Sequence, residues 1–192
     1  MSFLGTLPYV VGCFLLGTFL LQIFSPSFLK RSIRWILLGA FLAIISFAVC
    51  ISVLQYRAFQ AGFLGQTIHT TGGISWFLGY VRFHYWNTYL VSFIVGLLLI
   101  FFAQYAHKKR GRVFFEDEEL YVASLGIFLV GYPGILVYIP AMLLLPAIAS
   151  ALFLKKGERM PLYYFWMPVA FVLVLFIDFW AINQTWWLYF RF

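Results

Sequence analysis

Three compact basic clusters, Lys30/Arg31/Arg34, Lys108/Lys109/Arg110/Arg112 and Lys155/Lys156/Arg159, hold ten of the chain's 13 lysines and arginines, and the stretches between them are apolar. Bilayer hydrocarbon excludes charge while cytoplasmic loops collect Lys and Arg, so this spacing predicts an all-α, polytopic integral membrane bundle. Charged residues make up only 10% of the 192 residues, against roughly 25% in a typical globular protein. A water-soluble fold would lack the polar residues to cover itself. The net charge of +7 is confined to the breaks between apolar runs, which assigns it to membrane lipid headgroups and not to nucleic acid.

Six spans follow along a single transmembrane domain covering residues 1–192. The first, 4–26, has no basic n-region and no small-residue cleavage site, so it reads as a retained span. The second, from Trp35 to Leu54, runs twenty residues without a charge, enough for the roughly 30 Å hydrocarbon core. The third covers 86–107. The fourth and fifth, 119–132 and 135–154, are divided by Gly131-Tyr132-Pro133-Gly134, and Pro140 and Pro146 kink the fifth. The sixth opens at Met160 or Pro161 and yields near Ala181 to Asn183, Gln184, Trp186 and Trp187, an interfacial composition. Residues 58–84 mix aromatics with Gly, Thr and His and read as an extracytoplasmic or re-entrant segment, with a seventh crossing over 66–82 as the alternative. Six spans put all three basic clusters on one side and both termini on the other. Seven would separate the first cluster from the other two, so the charge rule favours six. The expected location is a prokaryotic inner membrane.

The polar residues form no complete catalytic constellation. Asp178 is the one acid inside an apolar span, which makes it a candidate intramembrane site, with an interhelical hydrogen bond as the structural alternative. His69, His84 and His107 lack HxxxH or HxxH spacing, and Cys13 and Cys50 sit in apolar segments, so no metal site is predicted and no cofactor is assigned. Glu116, Asp117, Glu118 and Glu119 are consecutive and complement the positive end of a helix beginning there. Asp117 is also a candidate catalytic carboxylate. An aspartyl hydrolase needs two, one acting as base and one as acid, and outside the run only Glu158 and Asp178 remain.

The order of features resembles the membrane domain of prepilin peptidases over about residues 35–180. Ile51-Ser52-Val53-Leu54-Gln55-Tyr56-Arg57 looks like the end of the helix that carries the first catalytic Asp, and Thr71-Gly72-Gly73 is similar to the loop that follows. Glu116-Asp117-Glu118-Glu119-Leu120 falls where the family's Gly-Asp-x-Lys motif opens a helix, and Arg159-Met160-Pro161 resembles its late basic-Pro segment. Gln55 then stands at the first Asp position, Glu116 at the motif glycine and Glu119 at its lysine. Only Asp117 of the catalytic pair remains, so the resemblance implies a peptidase-like hydrolase or, more readily, its inactive descendant. Ser32-Ile33-Arg34-Trp35 and Gly72-Gly73 are similar to parts of the lipoprotein diacylglyceryl transferases, without that family's Arg-Ile-Gly-Asn signature.

These residues favour a non-catalytic membrane subunit or scaffold packed against other membrane protein subunits, with Gly12, Gly17, Gly39 and Gly96 permitting close helix approach. The alternatives are the hydrolase using Asp117, and a transporter component built on Asp178 with the broken span around Pro140 and Pro146.

Overall fold

The structure, a computed structural model, describes residues 7–61, 73–110, 117–153 and 162–179, and every regular element among them is helical. We number the helices α1 (Leu7–Phe24), α2 (Pro26–Ala61), α3 (Gly73–Val81), α4 (Asn87–Arg110), α5 (Asp117–Val130), α6 (Ile135–Phe153) and α7 (Tyr163–Phe179); a π-helical segment, Arg82–Trp86, joins α3 to α4. Pro26 carries no backbone N–H, so the hydrogen-bond ladder breaks at Ser25 and makes the elbow between α1 and α2. Asp117 opens α5, with Glu118 and Glu119 in its first turn. Gly131, at φ +72°, ends it in the left-handed region. The Tyr132 N–H then donates to the Thr88 carbonyl of α4 at 3.0 Å, so the chain leaving α5 stays paired.

Helix α5 is the axis of the bundle. It is apolar on all sides after its first turn, and α2, α4, α6 and α7 pack around it. Leu120, Val122, Leu125, Ile127 and Phe128 are almost wholly buried. On α2 the buried residues Leu29, Ile33, Leu37, Ala40, Ile44, Ala48 and Ile51 recur in steps of three and four, which gives one stripe down a long helix.

The side-chain pairs fix each helix's direction. Arg34 meets Tyr121 and Phe41 meets Phe128, so α2 and α5 run parallel. Phe41 stacks on Phe93 with centroids 3.9 Å apart, and the Trp86 indole donates to Ser52 Oγ at 3.2 Å, so α4 runs antiparallel to α2. Gln22 with Tyr163, and Thr18 with Met167, set α1 antiparallel to α7. Tyr138 Oη donates to the Trp166 carbonyl at 2.8 Å and ties α6 to α7.

Three helical stretches are long and apolar enough to cross a membrane, Pro26–Ala61, Asn87–Lys109 and Ile135–Leu152, where the sequence predicts six; Tyr9–Phe24 and Tyr163–Ile177 are shorter apolar helices. The fourth predicted span, 119–132, is a helix close to the expected bounds but is not among the stretches long enough to cross. Helix α5 has 14 residues, about 21 Å, because its acidic start and Gly131 bound it at both ends; it is packed against other helices. The described part of the ambiguous 58–84 segment is helical: α2 continues to Ala61, and Gly73 to Arg110 forms one uninterrupted rod, with Val81 and Asn87 both in αR conformation. Residues 62–72 lie outside the described residues. The glycine expectation holds at one position. A Cβ on Gly96 would stand 2.5 Å from Ser124 Oγ, whereas Gly12, Gly17 and Gly39 have nothing within 4 Å.

Candidate functional site

The helix directions gather charge at one end of the bundle. Lys30, Arg31 and Arg34 occupy the first turns of α2. Because α2 and α4 are antiparallel with Phe41 beside Phe93, Lys108 and Lys109 at the end of α4 come to the same level. Tyr163, at the start of α7, lies under Lys30, so the loop joining α6 to α7 leaves from this end too. That loop holds Lys155, Lys156 and Arg159, which with Arg112 lie outside the described residues; Arg110 closes α4, and nothing of its side chain is described.

The two carboxylates singled out by sequence lie far apart. Asp117 opens α5 at the basic end, since Tyr121 one turn later meets Arg34 of α2. Asp178 is next to last in α7, and that 17-residue helix extends about 25 Å away from the basic end. Neither side chain is among those described. Gln55 lies about 31 Å along α2 from Arg34, toward the end away from Asp117. Glu119 is two residues from Asp117, a spacing that puts the pair on different sides of a helix. Residues 69 and 84 are likewise undescribed at side-chain level, while His107 sits half-buried at the basic end of α4 with both ring nitrogens enclosed.

Around the basic end the bundle encloses polar groups that the sequence did not single out for burial. Glu119 is 7% exposed and Gln22 3%, which for a carboxylate and an amide requires polar company. Gln22 Nε2 donates to the Tyr163 carbonyl, while Gln22 Oε1 and Trp166 Nε1 are buried with no hydrogen-bond partner among the described residues. The signal for Gln22 was the stripe Val11, Leu15, Thr18, Gln22, in which polar residues continue an apolar face. Two cations lie over aromatic rings here. Lys30 Nζ is 5.5 Å from the Tyr163 centroid, and the Arg34 guanidinium is 4.9 Å from that of Tyr121.

The opposite end is aromatic. Phe59 makes edge contacts with Trp76, Phe77 and Tyr80, and Tyr56 with Phe77, pinning α3 to the end of α2. Burial first, then the hydrogen bond and charge of Tyr80, push Tyr85 up to about 12. Between α2 and α4 a small apolar groove is lined by Phe41, Ile44, Trp86, Tyr89 and Phe128. Among the described residues no three His, Cys, Asp or Glu side chains group to hold a metal.

Compared with known protein families, curated proteins and solved structures, the chain matches none. The fold and its charge define a class. It is an all-helical bundle whose long apolar helices are consistent with a multi-pass membrane protein, with positive charge collected at one end.

Proposed function

We propose that the protein is a non-catalytic integral membrane subunit or scaffold of a larger assembly in a prokaryotic inner membrane. In this reading six segments cross, α1, α2, α4, α5 with its Gly131–Gly134 turn, α6 and α7, and the basic clusters face the cytoplasm. Asp117 then serves as a first-turn acid of α5, and Asp178 meets the outer interface.

The observation that carries this reading is a stripe on the longest helix. Gly39, Ala43, Ser46 and Cys50 recur in steps of four, three and four on the exposed side of α2, away from its buried stripe, and a Cβ on Gly39 would meet nothing within 4 Å. Lipid gives no hydrophobic reason for helices to associate, so transmembrane contacts rely on small residues that let backbones approach closely. Within the bundle Gly96 and Gly126 already stand against neighbouring helices, whereas Gly39 faces open space; the α2 stripe supports a helix from another subunit.

The test is gentle extraction from native membranes followed by size separation. The wild-type chain is expected with a second membrane protein, and Cys50 is expected to cross-link to it. Gly39→Leu should release the partner without lowering the chain's own melting temperature. Recovery of the wild-type chain solely as a monomer, or an assembly that tolerates Gly39→Leu, overturns the reading.

A further inference from the structure

The turn that closes α5 leaves backbone acceptors without donors inside the bundle. A continued helix would pair the carbonyls of Phe128, Leu129 and Val130 with the N–H groups of residues 132, 133 and 134. Gly131, at φ +72°, donates to the Ile127 carbonyl at 3.3 Å and turns the chain aside. Tyr132 then donates to Thr88 of α4, Pro133 has no N–H, and from Gly134 onward the chain feeds α6. Among the described residues no backbone N–H donates to these three carbonyls.

At a helix end in water such groups are solvated. Here Phe128, Leu129 and Val130 are buried, as are Gly131, Pro133 and Gly134. The packing around them is close. A Cβ on Gly131 would stand 2.9 Å from Thr88 Cγ2, and one on Gly134 would stand 2.6 Å from Ile177 Cδ1 and 2.7 Å from Val130 Cγ1. Helices α4 and α7 therefore wall the end of α5. A buried carbonyl without a donor costs free energy and calls for a water or an ion.

The helix itself brings the three oxygens together, without the help of any side chain. Carbonyls of an α-helix point toward its C-terminus, and consecutive oxygens of the last turn stand about 3.5 Å apart. They carry the negative end of the α5 dipole. A water has two donors for three acceptors and leaves that charge uncompensated, whereas a cation answers both. Oxygen ligands of this kind select a hard cation, and the C-terminal ends of broken membrane helices hold sodium in this way.

The charge at this end sets the valence. The three basic clusters lie at the other end, and Arg82, which is exposed, is six residues from Thr88, about 9 Å along the rod. Of the six acids, only Asp178 belongs to this side by position in the chain; it follows Ile177, the residue that touches the turn. A partial charge from the helix end and one carboxylate balance a single positive charge and not two.

We propose that the carbonyls of Phe128, Leu129 and Val130 bind a monovalent hard cation of the sodium class at the end of α5, with Asp178 supplying the countercharge. The site stands on the packing of the turn and is independent of the subunit role.

The full chain in detergent, labelled with 13C-carbonyl valine and 15N-glycine, tests it by nuclear magnetic resonance. Only Val11, Val95 and Val130 precede a glycine, so three carbonyl signals are selected. Replacing choline chloride by sodium chloride at constant ionic strength should move the Val130 signal along a saturating curve. The signals of Val11 and Val95, inside α1 and α4, should stay in place. The melting temperature should rise in step, by about 3–6 °C at a tenfold excess of sodium over its midpoint. Asp178→Asn should raise that midpoint on the order of 10-fold. If that variant fails to fold, the wild-type titration still decides. A Val130 signal indifferent to sodium, or equal movement of all three signals, overturns the site. Saturation by calcium at a lower concentration than by sodium overturns the monovalent class, and an unchanged midpoint in Asp178→Asn overturns the countercharge.

Discussion

Tyr138 is the most confined side chain between α5, α6 and α7. It is fully buried, its hydroxyl donates to the Trp166 carbonyl at 2.8 Å, and a Cβ added at Gly126 would collide with its Oη. Gly126→Ala should therefore force the ring aside, break that bond and cost about 1–3 kcal/mol, the usual range for overpacking. Tyr138→Phe alone removes only the hydroxyl and should cost about 1 kcal/mol. The double variant should be less destabilised than the sum of the two, and thermal melts of the four proteins in detergent measure that coupling. Tyr85, in the π-helical segment, gives a pH prediction. Its folded value of about 12 lies above the ordinary 10, so the neutral phenol is favoured by folding. That contribution is fully present below pH 10 and is lost as pH rises through 12. Tyr85→Phe should flatten the decline in melting temperature between those two pH values; an unchanged alkaline profile would show that Tyr85 does not cause it. The burial of Glu119 was hidden from the sequence, because a carboxylate in an acidic run beside a basic cluster reads as solvated until the packing of α5 encloses it, whereas Gln22 continued the apolar stripe of α1.

At the scale of elements, α4 and α5 meet where Gly96 faces Ser124, and the Gly96 Cβ position is 2.5 Å from the serine hydroxyl and 3.3 Å from its carbonyl. Alanine there displaces a rotatable hydroxyl, but leucine has to push apart two backbones. Gly96→Leu should lower the melting temperature of the isolated chain strongly, whereas Gly39→Leu, in open space, should leave it nearly unchanged. Similar melting temperatures for the two would mean that α4 and α5 do not approach closely at Gly96. The turn after α5 was legible, since Gly131-Tyr132-Pro133-Gly134 places a glycine at the left-handed position and a proline just beyond. The start of α5 was marked by the acidic run, whereas α2 begins at Pro26, ahead of the span expected from Trp35, and runs on to Ala61, past its expected end at Leu54. Helix α3 was legible only as one alternative among a loop, a re-entrant segment and a sheltered helix. Its glycines and serine speak for a loop, and its helical state coincides with Phe77 and Trp76 packing on Tyr56 and Phe59, a contact between residues distant in sequence. The π-helical turn has no sequence signature of its own, because Arg82 to Trp86 reads equally well as α-helix.

Over the whole molecule, direction and register turn local charge into polarity. Parallel α2 and α5, with antiparallel α4, carry Lys30, Lys108 and the start of α5 to one end, while the aromatic contacts of Phe59 and Trp76 lie at the other. Of the alternative crossing over 66–82, residues 73–82 belong to the helical stretch that continues into α4, and residues 66–72 lie outside the described residues. From Gly73 to Arg110 that rod measures about 57 Å, nearly twice the roughly 30 Å of a hydrocarbon core; on the proposed topology its α3 end extends past the outer face. With Cys13 and Cys50 replaced by alanine, single cysteines at Gln60 and Lys108 should accordingly react with an impermeant maleimide from opposite sides of sealed vesicles. A cysteine at Ser27, in the first turn of α2, should behave like the one at Lys108. Labelling of Gln60 and Lys108 from the same side would sink the antiparallel arrangement. Labelling of Ser27 together with Gln60 would leave the α2–α4 hairpin without a membrane crossing, and with it the basis for gathering the basic clusters on one face.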